Sequence, residues 1–483
     1  MTRLIVGPFN RVEGDLEVKL EIEDGRVHAA RVVSTLYRGF ERMLVGKVPD
    51  DALVYAPRIC GICSVSQSVA AAKALAAAAG IEPVQNGSLA ANLVHATENV
   101  ADHLTHFYLF FMPDFARTAY ATHTWHDDVV DRFKAVTGSA TREMLAARAQ
   151  FMQIMGLLAG KWPHTLSIQP GGTTRSVSAH ELARLSAILA GFRRFLQTRL
   201  FGDSLERIAT LSSGAELEAW ADGRRSRASD FRLFLHVSRE LELEHLGRGY
   251  DRFMSYGAYT TPSGSLFAKG IFADGGVATF STEGISEDLT HAWYDSLAMV
   301  ERPTEGTTVA DVSRGQAYSW CKAPRLGGEV MEVGAIARQV ISQHPLICDL
   351  VMRSGGNVHS RVVARLLEIA LVVLAMERWV REIDPGESFC GHGKVPQTAD
   401  GVGLTEAARG SLGHWLRVRN GKIENYQIIA PTTWNFSPRD GAGQPGALEK
   451  ALVGAPVCEG ETEPVSVQHI VRSFDPCLVC TVH

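Results

Sequence analysis

The sequence predicts a mainly helical α+β protein built around one dominant core with small peripheral β elements. Three observations carry that reading. Several long stretches repeat apolar residues at helical spacing, an alternating segment near the N-terminus folds back at an Asp-Gly turn, and no repeat, low-complexity linker or composition break separates domains. Across 483 residues, 46% are apolar and 21% charged, enough for a sizeable interior and unlike a disordered chain. The length could hold three average domains. With no boundary visible, the expectation is a single composite unit over 1–483. Within it, 1–60 forms an N-terminal hairpin region ending at a first cysteine motif, and 470–483 holds a second. A formal net charge of −5 gives no broad basic field, so nucleic acid is not an expected partner.

In chain order, Leu16 to Glu23 alternates apolar and polar residues, Asp24-Gly25 supplies a turn, and Val27 to Val33 resumes the alternation, which predicts a hairpin. The Ala-rich run from Ser64 to Ala79 predicts a helix stopped by Gly80. Cys63 then lies on the loop entering a helix, where free amides favour a thiolate. A helical pattern from Leu89 to Met112 stops at Pro113. Further helices are expected at about 141–159, 178–200, 227–246 and 356–382, with Gly/Pro-rich loops at 160–175, 255–278 and 383–403. The apolar run Leu366 to Met376 contains Glu368, lies between Arg365 and Arg378, and is too short to cross a bilayer. It reads as a buried core helix, and no membrane insertion is expected. Met1 to Asp15 carries Arg3, Arg11, Glu13 and Asp15 around a short apolar patch. That is unlike a signal peptide, so the expected location is cytoplasmic.

Four of the eight cysteines fall in two pairs, Cys60-Gly61-Ile62-Cys63 and Cys477-Leu478-Val479-Cys480. In a reducing compartment such pairs suggest metal or redox chemistry. A structural zinc site usually draws its pairs from one compact unit, whereas these stand near opposite ends and need the whole fold to meet. Donor softness alone leaves zinc, iron–sulfur and nickel–iron open. Cys321, Cys348, Cys390 and Cys458 are isolated and read as packed thiols. His95, Glu98, Asp102, His103 and His106 form a polar stripe on the long helix. Ala101 stands where a di-iron Glu-x-x-His would need histidine, so the stripe reads as interhelix hydrogen bonding. Gly391-His392-Gly393 and Gly401-Val402-Gly403 lack the full phosphate-binding fingerprint.

Arg58-Ile59-Cys60-Gly61-Ile62-Cys63 and Asp475-Pro476-Cys477-Leu478-Val479-Cys480-Thr481-Val482-His483 resemble the two metal signatures of nickel–iron hydrogenase large subunits. Between them, Arg11-Val12-Glu13-Gly14, Arg38-Gly39-Phe40-Glu41, Gly160-Lys161-Trp162-Pro163-His164, Lys322-Ala323-Pro324-Arg325, Glu406-Ala407-Ala408-Arg409-Gly410 and Pro431-Thr432-Thr433-Trp434-Asn435 are similar to family segments, in family order. The resemblance spans essentially the whole chain. It implies a nickel–iron centre whose iron carries CO and cyanide, with Cys60 and Cys477 terminal on nickel and Cys63 and Cys480 bridging. It also implies heterolytic cleavage of H2, with Cys477 as proton acceptor and Glu13 as the carboxylate carrying the proton outward. Arg409 resembles the guanidinium over the metals, with Asp114 and Asp475 as its orienting carboxylates. Ala408 stands where the family usually has proline. Thr432 matches a hydroxyl that bonds a cyanide, and Glu41 with His483 resembles the ligands of a Mg²⁺ site near the C-terminus.

The position four residues after Cys63 is commonly histidine in the catalytic family but is Gln67 here, which resembles the hydrogen-sensing, or regulatory, branch. All paired cysteines being assigned to the metal pair, the resemblance implies iron–sulfur clusters only in a smaller partner subunit, and the sensing branch implies a sensor histidine kinase. The leading expectation is a hydrogen-sensing large subunit with low turnover. An energy-conserving uptake or bidirectional hydrogenase is the alternative. A structural cysteine-metal or scaffold protein, akin to the quinone-site subunit of respiratory complex I, is disfavoured by Cys63 and Cys480.

Overall fold

The computed structural model describes residues 2–295 and 298–481. Its N-terminal sheet is an antiparallel meander of Thr2–Val6, Leu16–Glu23 and Arg26–Ser34. Leu16, Val18 and Leu20 point inward along the middle strand and are buried, as period-two alternation requires. Asp24 and Gly25 both take positive φ, 49° and 70°, matching the twist of a tight hairpin.

The helix Ser64–Ala79 ends at Gly80 in the left-handed conformation. A 21-residue helix follows over Gln85–Thr105, then widens into a π-type turn at His106–Phe111 and tightens at Met112–Ala116. The break thus precedes Pro113 by more than a turn, because the proline ring cannot follow a regular α-helical turn. Other expected helices appear as Ser139–Phe151 with Gln153–Ala159, Ala179–Phe195, and a shortened Asp230–Glu240. Val358–Glu382 is buried along most of its length, and Asn357 and Ser360 cap it reciprocally. It packs on Gln85–Thr105 through buried polar groups as well as apolar ones. His103 lies 3.0 Å from Glu368, while Arg338 bridges Glu368 and Glu406 at 2.7 and 2.8 Å. Each buried carboxylate there is paired rather than left alone, as the cost of an isolated buried charge requires.

Two segments expected as loops are strands. Residues 255–278 fall in the antiparallel strands Phe253–Thr261, Gly264–Ala273 and Gly276–Ala278. Glycines that read as loop signals sit within strands; Gly257, at φ +81°, is one. The end of 383–403 begins a three-stranded sheet of Ala399–Ala407, Gly410–Arg419 and Lys422–Ile429. This sheet is interior rather than peripheral, since its first strand lies against Ser64–Ala79. Gly401 and Gly403 explain the approach: a β-carbon there would stand 2.1 Å from the Ala74 carbonyl oxygen and 1.9 Å from that of Ala70. The Gly-x-Gly pattern is a helix–strand contact. Among the described residues, no helix is long and apolar enough to cross a membrane.

Candidate metal centre

The two cysteine motifs meet. Cys60 and Cys477 lie 3.5 Å apart at sulfur, Cys63 and Cys480 3.0 Å, and Cys477 and Cys480 3.0 Å. All four sulfurs fall within 4.8 Å of one another and are buried. They are free thiols, far beyond disulfide bonding distance.

Local chain physics places each one. Cys63 is the N-cap of Ser64–Ala79, and the Ile62 and Cys63 amides point at the Cys60 sulfur at 3.3 and 3.5 Å. Cys477 and Cys480 flank the short turn after Val465–Ser473, where Asp475 takes a φ of 57°. That turn is held from the far end of the chain, as the Leu478 amide donates to the Glu13 carbonyl at 2.8 Å. Gly14, at φ +81°, keeps the contact close, since a β-carbon would meet the Val479 nitrogen at 3.1 Å. The Cys477 amide donates to the Thr432 hydroxyl oxygen at 3.0 Å, which leaves that hydroxyl's own hydrogen to donate elsewhere.

The electrostatics suit a cation. Cys60 is pulled well below the ordinary thiol value by hydrogen bonds from Cys477 and the other thiols, while burial pushes Cys477 and Cys480 up. Thiols packed this tightly ionise together only when a positive ion joins them. Four soft donors in a closed, buried cage therefore fit nickel and iron by donor type.

Arg409 stands beside the cage, and the Cys477 and Cys63 charges help to keep it protonated. It donates to Asp102, to the Asp475 carboxylate at 3.1 Å and to the Asp475 carbonyl at 2.9 Å. The expected Asp114 is not its partner. Asp114 lies beyond the helix, on the Met112–Ala116 turn, where Arg11, Arg117 at 2.8 Å and Arg472 at 2.6 Å surround it. Burial would raise its carboxyl, but His469 and Arg472 outweigh that and hold it far below the carboxylate range. Asp102 was legible only as part of the polar stripe; burial raises it to about 7 against the pull of Arg409. Asp475, equally buried, is drawn below its ordinary value by Arg409. The strap carrying Ala408 is anchored without proline, because Arg338 donates to the Ala407 and Ala408 carbonyls at 2.9 and 3.0 Å.

Glu13 is half-buried, and its carboxyl is raised by burial and the Cys60 charge, opposed by Arg409. Gln67 accepts from His414 at 2.8 Å. A further residue, Glu98, braces the site: one carboxylate oxygen takes the Val65 amide and Trp162 indole at 2.8 and 2.9 Å, the other the Ser66 amide at 2.9 Å. It thereby caps the helix that begins at Cys63, and burial lifts it to about 7. The polar stripe was the sequence signal for it.

Glu41 is buried apart from the cage. It accepts from the Ile428 amide at 2.8 Å and from Thr308, with Lys322 at 3.6 Å. Lys322 also reaches Glu287 at 3.4 Å and Gln427 at 2.9 Å. His483 lies outside the described residues.

An interior helical core that draws both chain ends into one thiolate cage defines a metal-centred protein. Its family follows from comparison with known sequences. A family model described as nickel-dependent hydrogenase matches residues 38–130 and 140–483, and the chain belongs to that family. The periplasmic [NiFeSe] hydrogenase large subunit of Desulfomicrobium baculatum is 29% identical, the match covering all of this chain and 95% of that protein. The uptake hydrogenase large subunit of Rhodobacter capsulatus is 26% identical over the same shares. Among solved structures, the reduced Ni-Fe-Se hydrogenase of D. vulgaris Hildenborough superposes with a TM-score of 0.83 at 30% identity, covering both chains fully. The protein is a large subunit of nickel–iron hydrogenase type, and thus an enzyme of H2 oxidation and proton reduction.

Proposed function

We propose that this hydrogenase large subunit serves as a hydrogen sensor, activating H2 at low turnover and signalling through a kinase. The observation that carries the reading is Gln67, a non-titrating amide held by His414 beside the cysteine motif, where catalytic relatives are expected to place histidine. Cys60, Cys63, Cys477 and Cys480 would hold a nickel–iron centre whose iron carries CO and cyanide, with Cys60 and Cys477 as its terminal thiolates and Cys63 and Cys480 as its shared ones. Such a centre supplies the heterolytic cleavage of H2.

The chain's own groups then manage charge and protons. The Cys477 thiolate accepts the proton, and Glu13, joined to the Cys477 turn through backbone hydrogen bonds, carries it outward. A carboxyl raised by burial exchanges protons closer to neutrality than an exposed one. Arg409, fixed by Asp102 and Asp475, presents a guanidinium to the cage, and the Thr432 hydroxyl donates to a cyanide. Glu41 and Glu287 offer oxygen donors of the kind Mg²⁺ prefers, and His483 would complete that site. Lys322, already between the two carboxylates, competes with such an ion.

Electrons leave through a small subunit carrying iron–sulfur clusters, and the signal passes to a sensor histidine kinase. Infrared spectra of the purified complex under H2 and argon test the centre. CO and cyanide bands that respond to H2 are expected, whereas zinc as the sole metal defeats the reading. Deleting the gene should abolish hydrogen-dependent transcription. The second reading is an energy-conserving uptake hydrogenase, favoured by the similarity to an uptake enzyme; fast H2-dependent dye reduction with unchanged transcription after deletion would establish it.

A further inference from the structure

A cavity of about 540 Å³ lies between the helices Ser64–Ala79 and Gln85–Thr105 and the end of the strand Phe253–Thr261. That is the size of a small-molecule site, and no step of the hydrogen chemistry above uses it. Its walls are mostly apolar, with Val69, Ala72, Ala76, Ala91 and Ile168 among them. The lining runs from buried residues, His95, Tyr259 and Thr405, to exposed ones, Ala77, Glu82 and Pro83. The cavity therefore has a closed end and a mouth.

Among the described residues that line it, Lys73 alone is cationic. Its Nζ donates to the Leu404 carbonyl at 3.0 Å, next to Thr405, and its charge acts on His95, which places it toward the closed end. Burial draws Lys73 down to about 8, so it is still mainly protonated near neutrality. An ammonium carries three donors, and a backbone carbonyl offsets none of its net charge. Among the described residues no carboxylate forms an ion pair with it. Glu406 acts on it only through space, being held by Arg338 at 2.8 Å, the Tyr256 amide at 2.7 Å and the Ser411 hydroxyl at 2.6 Å. A buried charge without a counter-ion is costly, so the site calls for an anion from outside the chain.

We propose that this cavity binds a monocarboxylate with an apolar tail, its carboxylate paired with Lys73 Nζ and its tail along the alanine-rich walls between the two helices. The lining selects the charge of the head as well as its sign. Burial holds His95 at about 3, so the ring is neutral and adds no second cation for a doubly charged head. Glu82, exposed at the mouth, repels any further negative charge. Beyond Lys73, the apolar walls recover free energy only from an apolar body.

Calorimetric titration of the purified holoprotein with octanoate tests this, and saturable one-site binding is expected. The uncharged 1-octanol should bind at least about 30-fold more weakly, and Lys73→Met should weaken octanoate by a similar factor, the scale for truncating a buried charge pair. Ala91→Phe fills the wall and leaves Lys73 in place. It should abolish octanoate binding, and with the octanol comparison it decides the matter if Lys73→Met fails to fold. Octyl phosphate, whose head carries up to two charges, should bind more weakly than octanoate. A wild-type protein that takes up no octanoate, or that holds octanol as tightly, overturns the site, as does unchanged binding in Ala91→Phe. Equal affinity in folded Lys73→Met overturns the pairing, and tighter binding of octyl phosphate overturns the choice of carboxylate.

Discussion

Replacing Glu98 by glutamine should cost this protein a large share of its stability, although the side chain keeps its shape. The two carboxylate oxygens serve separate donor sets. Oε2 takes the Val65 amide, the Ser64 hydroxyl and the Trp162 indole, while Oε1 takes the Ser66 amide and hydroxyl. A glutamine must turn its NH2 toward one set or the other. Flipping the amide exchanges the conflict without removing it. Turning the NH2 to the Ser66 side is the milder choice, since the Ser66 hydroxyl can accept it, yet the Ser66 amide then faces a donor in a buried site. With a hydrogen bond to a charged group worth roughly 1.5–3 kcal/mol, the loss comes to about 1.5–3 kcal/mol above pH 7, where the carboxylate is ionised, from a total that is typically about 5–15 kcal/mol. Because those donors start the helix capped by Cys63, nickel content should fall with stability. Urea denaturation of the purified protein measures the first and metal analysis the second. A change below about 1 kcal/mol together with full nickel loading would refute the capping argument.

Asp102→Asn should lower H2 oxidation per folded molecule about 10–100-fold, the usual scale for removing a group that orients a metal site. Asp114→Asn should instead lower stability by about 3–5 kcal/mol, as expected on breaking a buried ion pair, with turnover per loaded centre retained. Dye-reduction assays normalised to nickel separate the two. Gly403→Ala places a β-carbon 1.9 Å from the Ala70 carbonyl oxygen and should cost at least about 3 kcal/mol, read as a lowered unfolding midpoint. Glu449 is raised by burial from 4.5 to about 7, so the folded state binds its proton more tightly than the unfolded one. That contribution is full below about pH 4.5 and is lost as pH rises through 7. Glu449→Gln, which can keep the Val32 and Tyr318 bonds on its oxygen, should flatten stability between pH 5 and 8. An unchanged slope in urea titrations would reject the assignment.

Local patterns in the sequence determined what short-range forces control. Gly80 stops a helix wherever it ends one, Asp24-Gly25 turns a hairpin, and the two cysteine pairs announce a soft-metal site by donor chemistry alone. The signals that failed are those whose meaning depends on a distant neighbour. Gly401 and Gly403 look like loop residues until Ala70 and Ala74 are brought against them. Asp102 and Asp114 are equally plausible carboxylates along the chain, and only the approach of Arg409, 307 positions from Asp102, decides between them. Gln67 likewise acquires its orientation from His414, 347 positions away. Spacing and residue type are fixed by covalent order, whereas close packing and the pairing of buried polar groups are satisfied only by the folded chain as a whole.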